Sequence, residues 1–350
     1  MLAEPHSAPK KELAPSAWAV GGLILLGLVG ALVTYKVSAS LTTIGGVQES
    51  HTLSPRAEWV PIAGQPPALR PLARALNYMA IVWPALAFGI LIGAAVRAVV
   101  SSAWLARLFG ESSVRSQLVG GLAGAPLMLC SCCVAPVFAA VHERTGRAGP
   151  AGALMLAAPS LNPAALTLTF MLFAPDVALV RVGMAVVLVF GISALAARYV
   201  PSSGAPLAPC PLEKAGSTRA DEAILAFARD AARLARTTLP LIVGGVIVSA
   251  LLLDVLPVDR LREAPFRMAA VAIVALVSVP LALPTFAEIP MALGLLAAGA
   301  PAGAAVALMI AGPAVNLPSL LTVGRTTSPR HAIALGMGTF LVAMAAGLMV

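Results

Sequence analysis

The sequence has few charged residues: Asp, Glu, Lys and Arg make up 11% of its 350 residues, whereas 59% are apolar. Soluble domains carry about 25% charged residues, so this chain has too few charges to cover the surface of a soluble enzyme. Cysteine is also scarce, and four cysteines exclude a disulfide-stabilised scaffold. No GxxxxGK[ST] phosphate-binding loop is present, which excludes a built-in ATPase of that class. These absences favour a membrane protein.

Nine apolar runs approach or exceed the roughly 20 residues that a crossing helix needs. The basic residues lie between the runs, so the net charge of +8 indicates loops anchored at lipid headgroups and no nucleic-acid partner. Several runs contain prolines, which leaves open whether they cross the bilayer or form re-entrant hairpins. We therefore predict an all-α integral membrane protein with the runs Trp18–Val37, Leu76–Val100, Gln117–Val141, Pro150–Phe173, Val177–Tyr199, Thr238–Leu256, Met268–Leu296, Pro301–Val323 and Ala332–Val350.

Connections rich in proline or charge divide the chain into four parts. Residues 1–75 hold an extra N-terminal helix and a Pro-rich connection, and residues 76–200 hold a first repeat of about four helices. Residues 201–237 form a linker that ends in an amphipathic helix, and residues 238–350 hold the second repeat. A cleaved signal peptide is the alternative for the first run, although that run is long for this role. On nine crossings the 23 Lys and Arg residues divide almost evenly between the two faces, so they do not fix the orientation.

The two halves match each other without a gap at an offset of 280 − 126 = 154 positions, and 14 of the 41 positions from 126 to 166 are identical. Internal duplication is typical of secondary transporters. Four crossings in each half would give both halves one orientation, whereas re-entrant hairpins would change the count and could invert one half. Pro- or Gly-interrupted segments at corresponding positions predict the binding site. Two such pairs exist, Gly124–Pro136 with Ser278–Pro290 and Ala157–Pro163 with Ala311–Pro318.

Three of the four cysteines lie within four residues of the first half, at Cys130, Cys132 and Cys133. Thiolates select soft metals and metalloids over hard cations such as Mg²⁺. The spacing lacks the paired ligands of a structural zinc site, and no histidine is near. Buried cysteines without a function are the alternative. We predict that a helix break at the flanking prolines brings the thiols together to bind a soft metalloid as substrate, with Ser131 adding a hydroxyl.

The matching segment of the second half holds Thr285 and Glu288, and Glu288 is the only carboxylate well inside an apolar run. An intramembrane carboxylate marks a substrate path or a proton site by default. We expect Glu288 to exchange a proton during transport; the alternative is that it caps a half-helix. Asn162 and Asn316 are expected to bond carbonyls freed by proline or to line the substrate cavity. Thr285 would add a hydroxyl to the same place.

These segments resemble the signature of the predicted permeases that include the organoarsenical efflux permeases. The run Leu129–Pro136, followed by Ala157–Pro163, is similar to the motifs of the first half in that family. Pro284–Glu288 and Gly312–Pro313 are similar to those of the second half. The resemblance covers roughly 76–350 and implies a multi-pass permease of the bacterial inner membrane.

Some relatives export trivalent organoarsenicals, and cysteines are implicated in recognising the metalloid. The resemblance therefore implies this role for Cys130, Cys132 and Cys133. This chain differs from members with a cysteine in the second-half segment, where it has Phe286 and Ala287. We predict a secondary permease that is not an enzyme, needs no cofactor and exports a soft thiol-reactive solute with proton coupling. The alternatives are a membrane thiol–disulfide relay through Cys132, Cys133 and Cys210, and a non-transporting membrane component.

Overall fold

The computed structural model describes residues 15–50, 52–53, 58–98, 100, 104–105, 108–109, 113–200, 220–255 and 267–350. All regular structure in these residues is helical, and six helices are long and apolar enough to cross a membrane. A pair of helices bent by 43° can make a seventh crossing. The all-α membrane class is therefore confirmed. The helices are α1 (Pro15–Ser50), α2 (Arg70–Ala98), α3 (Ser113–Gly124), α4 (Ser131–Thr145), α5 (Ala148–Ser160), α6 (Pro163–Leu172), α7 (Pro175–Tyr199), α8 (Ala220–Val255), α9 (Arg267–Ser278), α10 (Glu288–Ala297), α11 (Ala302–Ala314), α12 (Leu317–Thr326) and α13 (Pro329–Met349).

The proline-broken run 117–141 forms a re-entrant hairpin of two half-helices, neither of which has the roughly 20 residues of a crossing helix. Its halves are α3 and α4, joined through a 3₁₀ turn at Ala125–Leu127. Gly120 of α3 packs against Pro150 at the start of α5, and the next turns of both helices are also in contact, so α3 runs parallel to α5. A two-residue connection joins α4 to α5, and these helices run in opposite directions. Both ends of this first hairpin therefore lie on one face of the membrane.

The run 268–296 repeats this arrangement as a second hairpin formed by α9 and α10. Val271 of α9 contacts Gly303 at the start of α11, and its counterpart in the first hairpin is the contact of Gln117 with Gly149. The two contacts differ by the offset of the sequence repeat, because 117 + 154 = 271 and 149 + 154 = 303. The duplication in the sequence is thus a duplication of structure.

Each repeat has three segments that are long and apolar enough to cross the membrane, because its hairpin returns to the face from which it entered. The crossings are α2, the α5–α6 pair and α7 in the first repeat, and α8, the α11–α12 pair and α13 in the second. An odd number of crossings inverts the second repeat relative to the first. Accordingly, α2 and α8 pack antiparallel: Gly93 lies beside Leu234, and Ala98, further along α2, packs with Ala223 earlier on α8.

We call the face at which α1 begins the proximal face and the opposite one the distal face. Ile24 and Leu28 of α1 pack near Ala95 and Ala98, so α2 ends at the proximal face. Both ends of the first hairpin then lie at the proximal face, and both ends of the second hairpin lie at the distal face. Among the described residues, ten arginines lie toward the proximal face and three toward the distal face, namely Arg97, Arg115, Arg144, Arg147, Arg198, Arg229, Arg233, Arg236, Arg325 and Arg330 against Arg70, Arg74 and Arg267.

The amphipathic stretch of the linker continues into the next apolar run as one 36-residue helix, α8. At the proximal face Arg97 of α2 forms an ion pair with Glu143 of α4. Arg97 also lies 3.9 Å from Asp230 of α8. These charges connect the first hairpin to the two long helices that begin the repeats.

Candidate functional site

The tips of the two hairpins line one small cavity inside the molecule, which we call the central cavity. Its volume is about 10 Å³, enough for about one water molecule. Because the hairpins enter from opposite faces, this cavity lies at the interface of the inverted repeats. Its lining residues come from both tips and from the breaks in the α5–α6 and α11–α12 pairs: Leu129, Cys130, Pro159, Asn162, Ala165, Leu283, Pro284, Thr285, Phe286, Glu288 and Pro313.

A backbone turn at the tip of the first hairpin places the cysteines. Pro126 lies in the 3₁₀ turn that ends α3, and Met128 adopts the left-handed conformation with φ of 49°. The chain then reverses, and Cys130 is the extended N-cap residue of α4. Its carbonyl oxygen accepts hydrogen bonds from the N–H groups of Cys133 and Val134. The local sequence therefore starts a new helix at the cysteines.

The three predicted thiols form one buried cluster, with all three sulfur atoms within 4.8 Å of one another. The Sγ atom of Cys130 lies 2.6 Å from that of Cys133 and 3.4 Å from that of Cys132. Cys130 lines the central cavity, whereas Cys132 shares a 3.0 Å hydrogen bond with the hydroxyl of Tyr78. The sequence analysis did not predict a role for Tyr78. The indication available was a tyrosine hydroxyl near the start of the apolar run Leu76–Val100.

Glu288 starts α10 at the tip of the second hairpin, and its carboxylate is paired with a buried arginine. Nη2 of Arg181 donates to Oε1 of Glu288 at 2.9 Å, and both residues are 2% exposed. Nη1 of Arg181 donates to Oγ1 of Thr169 at 2.6 Å, so the pair links α7, α6 and the second hairpin. Sequence reasoning treated Glu288 as a lone charge and missed Arg181, although a charge inside an apolar run was visible.

Asn162 and Asn316 cap the half-helices that follow the two breaks. Oδ1 of Asn162 accepts from the N–H groups of Ala164 and Ala165 at 3.0 and 3.4 Å, and Oδ1 of Asn316 accepts from that of Ser319 at 3.0 Å. The expectation that these amides bond freed carbonyls was wrong, because both Nδ2 atoms are buried without a hydrogen-bond partner among the described residues. Asn162 also lines the central cavity, so its donor is available to a bound molecule.

The structure brings four of the eight predicted residues to the central cavity: Cys130, Asn162, Thr285 and Glu288. Cys132 and Cys133 lie beside it in the thiol cluster. Ser131, in the first turn of α4, and Asn316, in the break before α12, are buried but do not line the cavity. The polar residues of both halves therefore converge only in part.

Two larger cavities lie toward the two faces of the molecule. The proximal cavity has a volume of about 270 Å³ and lies between α2, α4, α8 and α12, with Arg97, Glu143, Arg233 and Arg325 among its lining residues. The lateral cavity has a volume of about 780 Å³ and lies between α1 and the second hairpin. Only the lateral cavity shares lining residues with the central cavity, at the tip of the second hairpin.

Residues 69–350 match a protein family described as a predicted permease. The chain is 29% identical over 266 residues to the UPF0718 protein YraQ of Escherichia coli (strain K12), and the match covers 74% of each chain. It is 21% identical over 313 residues to the UPF0718 protein MJ0584 of Methanocaldococcus jannaschii, covering 71% of this chain and 86% of that one. No solved structure matches this chain. The family match includes both hairpins and both helix breaks but leaves out α1.

Proposed function

This chain belongs to the family of predicted permeases, and from this premise we propose that it is a secondary transporter that exports a soft, thiol-reactive solute such as a trivalent organoarsenical. The observation that carries the proposal is the central cavity, where Cys130, Asn162 and Glu288 come together from both inverted repeats. Secondary transporters built from inverted repeats bind their substrates near the bilayer midplane, at the repeat interface and beside broken helices.

The thiol cluster supports the proposal through its chemistry. A trivalent arsenical R–As(OH)₂ exchanges its two hydroxides for two thiols: each sulfur forms an As–S bond, the matching As–O bond breaks, and the thiol proton leaves with the hydroxide as water. Arsenic stays trivalent, so the step needs no oxidant or reductant. Two water molecules reverse the step and release the solute. The three sulfur atoms lie within 4.8 Å of one another, so two of them can bind one arsenic atom, and Cys130 is the thiol that lines the central cavity.

The ion pair of Arg181 and Glu288 supports coupling to protons. A proton on Glu288 removes its charge and weakens its attraction to Arg181, which loosens the second hairpin from α6 and α7. Because protonation of Glu288 favours one of two positions of the second hairpin, proton binding and hairpin movement are coupled. The central cavity, at about 10 Å³, is smaller than any organoarsenical, so the hairpin tips must separate to admit the solute.

We infer that the proximal face is cytoplasmic, because ten of the described arginines lie toward it and three toward the distal face. This orientation suits a bacterial inner membrane. The proximal cavity then opens toward the compartment from which an exported solute comes. Ala139 of α4 lines that cavity two helical turns beyond Cys132, about 10 Å along the axis.

The alternative of a thiol–disulfide relay has no support from the described residues. It requires exchange between the clustered thiols and a partner thiol. Cys210, the partner that the sequence offers, lies outside the described residues. The three clustered cysteines are buried at the tip of the first hairpin, where a soluble redox protein has no access.

Transport by membrane vesicles tests the proposed function and its direction together. Inside-out vesicles from cells that express the chain should accumulate methylarsenite without ATP when respiration supplies a proton gradient, and a protonophore should abolish the accumulation. Right-side-out vesicles should not accumulate it. Inside-out vesicles that take up no more than vesicles without the chain would refute export, and uptake confined to right-side-out vesicles would reverse the inferred direction.

A further inference from the structure

The lateral cavity is the largest of the three cavities and is adjacent to the site of the proposed transport. Pro284 and Phe286 line both the lateral and the central cavity. A solute held by the thiols in the central cavity therefore has the lateral cavity beside it, with the tip of the second hairpin between the two. The difference in volume is large, at about 780 against about 10 Å³.

The wall that α1 gives to the lateral cavity is one face of that helix, built from small residues. Ala39, Thr42, Thr43 and Gly46 recur at the three- and four-residue spacing of a single helical face. The hydroxyls of Thr42 and Thr43 already donate to carbonyl oxygens of α1, so this wall is apolar in effect. A Cβ atom at Gly46 would meet no other atom within 4 Å, which leaves open space at this position.

Phe286 lies where the two cavities adjoin. Its backbone has φ of 71°, in the left-handed region that bulky residues rarely adopt. Strained backbone of this kind persists only where the surroundings fix it, and it concentrates at ligand-binding and switch segments. Phe286 packs against a cluster formed by Val47 of α1, Leu168 of α6 and Ile289 of α10.

We propose that the lateral cavity is the subsite for the apolar organic group of the exported solute, and that Phe286 closes the passage between this subsite and the thiols. The inference rests on the proposed function and extends it: the thiols hold the metalloid atom, and α1 with the second hairpin holds the aryl or alkyl group. The wall that α1 gives to this subsite lies outside the family match, and we expect it to favour solutes with large apolar groups.

The test compares two arsenicals that share their thiol chemistry but differ in the size of the organic group. Uptake of phenylarsenite and of methylarsenite is measured in inside-out vesicles for the wild type, Gly46→Trp and Gly45→Trp. The indole of Gly46→Trp takes up part of the lateral cavity on the side of α1, and we expect it to lower phenylarsenite uptake by about tenfold while methylarsenite uptake changes by less than about twofold. Gly45 does not line the cavity and its Cβ position is also open, so Gly45→Trp serves as the matched control.

Three outcomes would overturn the inference. Unchanged phenylarsenite uptake by Gly46→Trp, with methylarsenite uptake also unchanged, would show that the lateral cavity does not hold the organic group. Equal loss of both arsenicals in Gly46→Trp, with Gly45→Trp intact, would show that the helix matters for transport but does not select the organic group. Wild-type vesicles that take up neither arsenical would refute the proposed function itself, and the subsite with it, before any variant is compared.

Discussion

Replacement of Cys130 by serine is expected to lower methylarsenite transport by about 10- to 100-fold, at least the loss that follows from disturbing groups around a metal ligand. Serine keeps the size of the side chain but replaces a soft sulfur with a hard oxygen, which is a poor partner for a soft metalloid. Cys130 should be the most sensitive of the three thiols, because it lines the central cavity and its sulfur lies within 3.4 Å of both others.

The matched controls are Cys132→Ser, Cys133→Ser and Cys210→Ser, all measured as initial uptake rates in inside-out vesicles at several methylarsenite concentrations. Cys132→Ser and Cys133→Ser should each lower transport less than Cys130→Ser, because Cys130 then still has a second thiol beside it to replace the two hydroxides on arsenic. Cys210→Ser should transport as the wild type does. If the variant with all three clustered cysteines replaced exports methylarsenite at the wild-type rate, the thiols have no role in transport.

Replacement of Arg181 by methionine is expected to destabilise the chain by about 3–5 kcal/mol, the cost of leaving a buried charge without its partner. The variant leaves Glu288 unpaired at 2% exposure, and its thermal unfolding in detergent should begin at a lower temperature than that of the wild type. Glu288→Gln keeps the volume of the side chain and removes the charge that the proposed proton coupling needs. It leaves the buried Arg181 without a counter-charge, so it too should unfold at a lower temperature than the wild type, and it should lose accumulation driven by the proton gradient.

The double variant Arg181→Met/Glu288→Leu separates a structural role of the ion pair from a role in transport. Removing both charges eliminates the unpaired group, so we expect its unfolding temperature to return close to that of the wild type. Its transport should remain as low as that of Glu288→Gln. A double variant that is stable and also transports at the wild-type rate would limit the ion pair to a structural role.

The sequence predicts the membrane class and the repeat but leaves the course of the broken runs open. The apolar stretch 117–141 has the length and composition of a crossing helix. Two half-helices that return to one face would have the same composition, so composition cannot distinguish the two. Only the packing of α3 parallel to α5, at Gly120 and Pro150, distinguishes a hairpin from a crossing. A hairpin in place of a crossing gives each repeat an odd number of crossings. With this number of crossings, most of the described arginines lie toward one face of the membrane.

The candidate site was predictable where local sequence determines it. The clustering of the three cysteines follows from prolines and cysteines that are close in sequence. The repeat offset indicates the matching segment Ser278–Pro290, and Glu288 is the carboxylate within it. The pairing of Glu288 with Arg181 joins residues 107 positions apart, so it depends on how the repeats pack together. The same holds for Tyr78 and Cys132, which are 54 positions apart. Ser131 and Asn316 matched the pattern, but the packing directs them away from the cavity.

The claim on which the account depends is that the two hairpin tips, which enter from opposite faces, meet at the central cavity. A cross-link between Cys130 and Thr285→Cys tests it most directly, in a chain with Cys132→Ser, Cys133→Ser and Cys210→Ser and a protease site inserted in 201–219. After oxidation in membranes and cleavage, the two halves should remain joined on a non-reducing gel and separate when reductant is added. The control with Ala302→Cys, at the distal start of α11, should separate without reductant. Halves of the Thr285→Cys chain that separate as readily as those of the control would contradict the meeting of the tips.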